Sequence, residues 1–258
     1  MLINMFFGVV YNAASSVANS VQGVVSNLAV NVIQAFRPQI VKSYAANNLT
    51  RMETLMCYGI KFSLLLFMLV TIPIILETQT ILSLWLGVVP DGAVGFCRIL
   101  SVVCLFNLIN RILGIGIQAT GQMKHVSLIT GTIHLLCLPA IFILFKFFVD
   151  YPIWAYIMAA LTMLMVDASN MIILKRQVPQ LRLRYYLKGI FQAVLLALVA
   201  SLPIIPIYFL IQQGWVRLVC VCLTYGIALC VVTYILGLNA SQRVMIKNFI
   251  SKKLNRKK

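Results

Sequence analysis

The chain has 258 residues, of which 62% are hydrophobic and 10% charged, with a mean hydropathy of +0.98 and a formal net charge of +16. Charged residues make up about a quarter of an ordinary water-soluble domain, so this balance excludes one and predicts an all-α, polytopic membrane helix bundle. Because the basic residues sit between apolar runs, the excess charge reads as a topology signal and not as a nucleic-acid surface.

Taken in order, residues 1–8 (MLINMFFG) form an apolar fragment too short to span, read as the end of a truncated preceding helix. The first long helix follows over 9–36. It is long enough to cross a bilayer, yet Asn12, Ser16, Asn19, Gly23, Asn27, Asn31 and Gln34 recur at steps of three and four residues and fall on one face. Uncharged amides in hydrocarbon must find partners. The stripe is therefore expected either to bond neighbouring helices or to line a water-filled cavity. Beyond Pro38, the polar stretch 39–58 predicts a short interfacial helix, with Asn47 and Asn48 as a break and Thr50 as a candidate N-cap.

Six further spans are expected near 60–76, 93–118, 125–148, 152–174, 186–211 and 215–238, giving about seven transmembrane helices with the first. Pro73, Pro139, Pro203 and Pro206 fall inside them, where each removes a backbone donor and kinks its helix. If the first helix runs inward, one side collects Arg37, Lys42, Arg51, Lys61, Lys124, Lys175, Arg176, Arg182, Arg184, Lys188 and the seven basic residues of the tail. That is seventeen of the 21 lysines and arginines. The other side holds Arg98, Lys146 and Arg217, and Arg111 lies within a span. The positive-inside rule then places the carboxyl end in the cytoplasm. Residues 239–258 set Val244, Ile246, Phe249, Ile250 and Leu254 among lysines and arginines, which fits either a basic amphipathic helix on the inner leaflet or a frayed basic terminus.

No nucleophile elbow, HExxH or phosphate-binding glycine loop occurs, and the whole chain has five carboxylates, so neither enzymatic activity nor a cofactor is expected. The seven cysteines are scattered, without CxxC spacing or histidine companions, and read as small core residues. His134 on an apolar face reads as a packed core histidine. The informative residues are the ionisable ones at membrane depth. Arg111, near Asn107 and Asn110, and Asp167, followed by Ser169 and Asn170, would each cost about 2.5 to 3.5 kcal/mol at the centre of a span, so such residues face a bundle interior or a cavity. Two readings stay open. In one, both face a shared interior where Arg111 meets an anionic substrate group and Asp167 pairs with it or handles a coupling cation. In the other they form a structural pair, or each snorkels toward the inner face, as Arg98 is expected to do at the outer one.

The run INMFFGVVYNAASSVANSVQGVVSNLAVNVIQAFRPQIVKSYAANN, together with TILSLWLGVVP at 80–90, resembles the polysaccharide-exporting flippases of the multidrug/oligosaccharidyl-lipid/polysaccharide (MOP) transporter superfamily. The likeness is clearest over 3–145 and fainter over the last three spans. It implies the C-terminal lobe of a MATE-like transporter, with five helices over 9–174, two additional helices over 175–238 and a cytoplasmic tail over 239–258. The function implied is flipping of undecaprenyl-diphosphate-linked oligosaccharide across a bacterial inner membrane for O-antigen or capsule synthesis. The implied partners are the lipid bilayer, the lipid-linked glycan and a missing N-terminal lobe or second chain. Asn12, Ser16, Asn19, Asn27, Asn31, Asn107, Arg111, Asp167 and Asn170 are then candidates for a substrate cavity. Two alternatives remain: a fragment of a drug/cation antiporter of the same superfamily, and an inactive truncated or assembly subunit.

Overall fold

The structure, a computed structural model, describes residues 2–147 and 151–238. Every regular element among them is helical: α1 (Leu2–Ala45), α2 (Leu49–Leu76), α3 (Thr78–Leu86), α4 (Ala93–Thr120), α5 (Lys124–Phe147), α6 (Ile153–Gln177), α7 (Leu183–Ser201), α8 (Ile204–Leu210), α9 (Trp215–Val232) and a π-helical turn (Thr233–Gly237). Six segments are long and apolar enough to cross a membrane, namely α2, α4, α5, α6, α7 with α8, and α9 with the π-helical turn. This is one fewer than the expected seven. The difference is α1, whose 44 residues suffice in length but whose polar side chains dilute its hydropathy.

Local chemistry explains the helix boundaries. Gly8 takes φ +84°, a left-handed angle that glycine adopts without strain, and it separates the 2–7 helical turn from the rest of α1. The expected interfacial helix over 39–58 is not a separate element: α1 runs through Pro38 to Ala45, and α2 begins at Leu49. The break falls at Asn47 and Asn48 as anticipated, with Asn47 in the left-handed region at φ +53°, which asparagine tolerates. The cap is Asn48 and not Thr50, because the Asn48 carboxamide oxygen accepts the Arg51 N–H at 3.0 Å. Pro73 and Pro139 lie inside α2 and α5. Pro203 instead interrupts the span expected over 186–211, so that α7 stops at Ser201 and α8 restarts at Ile204.

The chain divides into two compact units, Met1–Phe191 and Gln192–Lys258. In the first, α4 is the central helix and packs against α1, α2 and α6, while α1 also packs on α2, and α5 on α6. The helix α1 approaches α4 through Ala14, Ala18, Gln22, Val25, Ala29 and Ile33, all buried, in which small residues permit close backbone contact. Helices α1, α4 and α6 run in the same direction. Tyr11 meets Phe96 and Arg37 meets Gln118; Phe96 meets Tyr156 and Thr120 meets Gln177. Aromatic rings tie the start of α1 to α5, with Phe7 and Phe145 edge to face at 4.9 Å.

Only Val126, Ile141 and Phe145 are buried on α5, so most of that helix faces outward. This corrects His134, which is exposed on α5, not packed in the core, with its Nδ1 2.7 Å from the Thr130 carbonyl. Cys57 and Cys97 are buried core residues as read, whereas Cys222 and Cys230 lie on exposed faces. Arg98 is exposed, and its Nε donates to the Ile75 carbonyl at 3.1 Å, which also accepts from Thr78 Oγ1 at 3.1 Å, so an acceptor that the end of α2 leaves without a backbone partner is satisfied.

At the opposite end, the Arg182 backbone N–H donates to the carboxylate of Glu53, itself only 8% exposed, which fixes the entry to α7 against α2. Hydrogen bonds to a charged group contribute about 1.5–3 kcal/mol. Glu53→Ala is expected to lower stability by that amount in detergent thermal melts, with Glu53→Gln recovering part of it. An unchanged melting temperature in Glu53→Ala would refute the tie.

In the second unit, α8 packs on α9, where the Arg217 guanidinium lies 4.6 Å from the centre of the Tyr208 ring. Tyr225 is fully buried. The basic tail over 239–258 and the loop acid Asp150 lie outside the described residues.

Candidate functional site

The polar stripe of α1 turns away from the bundle. Ser16, Asn19, Gly23, Asn27, Asn31 and Gln34 are exposed and Asn12 is half-buried, while the packed face follows Ala14, Ala18, Gln22, Val25 and Ala29 on the other side of the helix. Along the stripe, hydrogen bonds stay within α1: Ser16 Oγ donates to the Asn12 carbonyl at 3.1 Å and Asn19 Nδ2 to the Ser15 carbonyl at 2.8 Å. Among the described residues, therefore, the stripe is not what bonds α1 to its neighbours.

That bonding comes from residues the stripe does not contain. Gln22, 2% exposed, donates from Nε2 to Ser101 Oγ at 2.5 Å and to the Cys97 carbonyl at 3.2 Å. Ser15 Oγ and Tyr156 OH are 2.7 Å apart, joining α1 to α6. The four-residue repeat of small residues Ala14 and Ala18, which leads to Gln22, was the available signal for this buried face.

Arg111 and Asp167 do not share an interior. Arg111 is exposed on the α4 face that also carries Cys104 and Asn107; Asp167 is 7% exposed between α4 and α6. No ion pair joins them, since neither Asp167 oxygen has a hydrogen-bond partner. Asn107 is half-buried and its Nδ2 donates to the Val103 carbonyl of its own helix at 3.2 Å. Ser26 of α1 lies beside Cys104, and Arg37 Nη2 donates to Gln118 Oε1 at 2.9 Å. The register of the two parallel helices thus places Arg111 level with Asn31.

Asp167 belongs to a second polar cluster. Asn110 of α4 lies beside it, Asn170 follows one turn later on α6 at 2% exposure, and Tyr186 of α7 closes the group by donating its hydroxyl to the Ile109 carbonyl at 2.5 Å. Asn110 Nδ2, both Asp167 oxygens and Asn170 Oδ1 are buried without hydrogen-bond partners of normal geometry. Spare acceptor and donor capacity in such a place is what a buried water or a small cation satisfies. Tyr186, the first residue of an expected span, gave no sequence signal for this role. Among the described residues, no group of three or more His, Cys, Asp or Glu side chains gathers in a metal-binding arrangement.

The candidate cavity residues therefore separate into an outward face, with Asn12, Ser16, Asn19, Asn27, Asn31 and Arg111, and an interior pair, Asp167 and Asn170, with Asn107 half-buried on α4. Compared with protein-family profiles, with curated proteins and with solved structures, the chain matches none, so the chemistry of these residues carries the functional reading.

Proposed function

We propose that the chain is the C-terminal lobe of a lipid-linked oligosaccharide flippase of the MOP superfamily, working in a bacterial inner membrane with its carboxyl end in the cytoplasm. The observation that carries this reading is the exposed, uncharged polar face of α1. Amides and hydroxyls on that face suit the hydroxyls of a glycan, and the single guanidinium of Arg111, level with Asn31, suits a diphosphate. A lipid-facing helix has no use for such a face. The other wall of the cavity is then supplied by a second lobe, from further sequence or from a second chain. The two lobes rock around the hydrophilic space while the polyprenyl tail stays in lipid. Substrate or ion must bind one orientation more tightly than the other for this motion to be driven. Asp167, set apart from the outward face, is assigned to the coupling ion and not to the glycan. A drug/cation antiporter fits less well, because the cavity face offers an arginine where a cationic drug needs a carboxylate.

The test is water access. In a cysteine-free background, Asn19→Cys, Asn27→Cys and Asn31→Cys are expected to react with a membrane-impermeant thiol reagent in whole cells or inverted vesicles. Leu136→Cys, on the outward face of α5, is expected to stay unreactive because lipid covers it. Stripe cysteines as unreactive as Leu136→Cys would refute the cavity. Complementation of glycan export, run beside a drug-resistance assay, separates the flippase from the antiporter.

A further inference from the structure

The segment that joins α6 to α7 is fixed at several points. Lys175 Nζ donates to the carbonyls of Pro179 and Leu181 at 2.6 and 2.9 Å, and the Arg182 N–H is held by Glu53. Gln177 joins the same end of the bundle, accepting from Thr120 Oγ1 at 2.8 Å and donating to the Gln122 carbonyl at 2.8 Å. Beside this platform opens a cleft of about 670 Å³, lined by Arg182, Arg184, Tyr185, Leu187, Lys188 and Phe191, all exposed.

The order of chemistry along α7 gives the cleft an amphiphilic profile. Arg184 and Lys188 are one helical turn apart, and Leu187 and Phe191 repeat the same step on the adjoining strip. A cationic mouth thus continues along the helix into an apolar wall. Glu53 is the nearby acid, but it is buried and its Oε1 is engaged by the Arg182 N–H. Arg182, Arg184 and Lys188 form no ion pair among the described residues, and Lys61 of α2 lies close enough to Lys188 to add to the positive field. The N-terminal end of α7 contributes further partial positive charge.

We propose that this cleft binds an anionic phospholipid of the bilayer, with its phosphate held by Arg184 and Lys188, Arg182 at the rim, and an acyl chain laid along Leu187 and Phe191. Guanidinium and ammonium groups supply donors to phosphate oxygens, and a cluster of basic residues at the membrane end of a helix is a usual setting for such a headgroup. A zwitterionic lipid would bring its own ammonium into a cleft that already holds three cations. The site lies on the side that collects most of the basic residues, where anionic lipid is concentrated. It requires that the chain spans a bilayer and stands whether or not the chain transports a glycan.

The experiment is lipid retention by the purified full chain in nanodiscs and detergent, read by native mass spectrometry. The lipids supplied are phosphatidylglycerol, phosphatidylcholine and, as a separate competitor, undecaprenyl diphosphate. Wild type is expected to retain phosphatidylglycerol over phosphatidylcholine, and Arg184→Gln with Lys188→Gln to cut that preference by about tenfold or more, at roughly 1 kcal/mol per basic residue. The control variant, Lys42→Gln with Arg51→Gln, removes the same charge elsewhere and is expected to leave the preference intact. Equal retention of the two phospholipids, an unchanged preference in the Arg184/Lys188 variant, or an equal loss in the control would overturn the site. Displacement of phosphatidylglycerol by equimolar undecaprenyl diphosphate would also overturn it, by assigning the cleft to the proposed transport substrate.

Discussion

Gly189→Leu is expected to leave no folded, monodisperse protein after detergent extraction, because α7 passes α2 at this residue with no room for a side chain. A β-carbon built there would stand 2.7 Å from the Cys57 backbone carbonyl oxygen, 3.0 Å from Ile60 Cγ2 and 3.2 Å from Cys57 Sγ. A backbone oxygen cannot step aside as a side chain can. Even Gly189→Ala forces the helices apart, at about 1–3 kcal/mol for overpacking, and the larger leucine exceeds that. Gly116→Ala is the internal comparison. Its β-carbon would meet the terminal methyl of Met56 at 3.0 Å and Leu174 Cδ2 at 3.2 Å, both ends of flexible side chains that can rotate away. Fluorescence-detected size-exclusion chromatography with thermal ramps separates the two: Gly116→Ala should stay within about 1 kcal/mol of wild type. A well-folded Gly189→Leu would show that α7 does not pack on α2 as described.

The triple variant Asn19→Leu/Asn27→Leu/Asn31→Leu is expected to fold normally and to lose glycan export. All three residues are exposed and, among the described residues, none bonds another helix, so the bundle gives up little when they change. Their proposed work is on substrate. A neutral hydrogen bond contributes about 0.5–1.5 kcal/mol, so three together correspond to a loss of about tenfold to a thousandfold. The measurement is glycan export in cells that express the chain together with the proposed second lobe, normalised to the amount of protein in the membrane. Normal export with normal expression would remove the stripe from the cavity. Loss of expression would instead place the stripe in a packed helix interface.

Run length and polarity alone carried much of the architecture, for a physical reason. In hydrocarbon every backbone polar group must be satisfied within its own segment, so a long apolar run has one available structure, and the helices over α2, α4, α5, α6 and α9 follow from the sequence directly. The stripe of α1 was equally legible, since a 3.6-residue period places its members on one face whatever surrounds the helix. Which face packs is decided by tertiary structure: Ala14 and Ala18 fit against Phe96 and Tyr156, which leaves Asn19 and Asn27 outside the bundle. The same holds for Arg111 and Asp167. Both read as ionisable residues at membrane depth, but a difference of rotation about α4 and α6 exposes one and buries the other. Gln22, Tyr186 and Glu53 acquire their roles only when Ser101, Ile109 and Arg182 arrive from segments 79, 77 and 129 residues away, distances over which a local pattern carries no information.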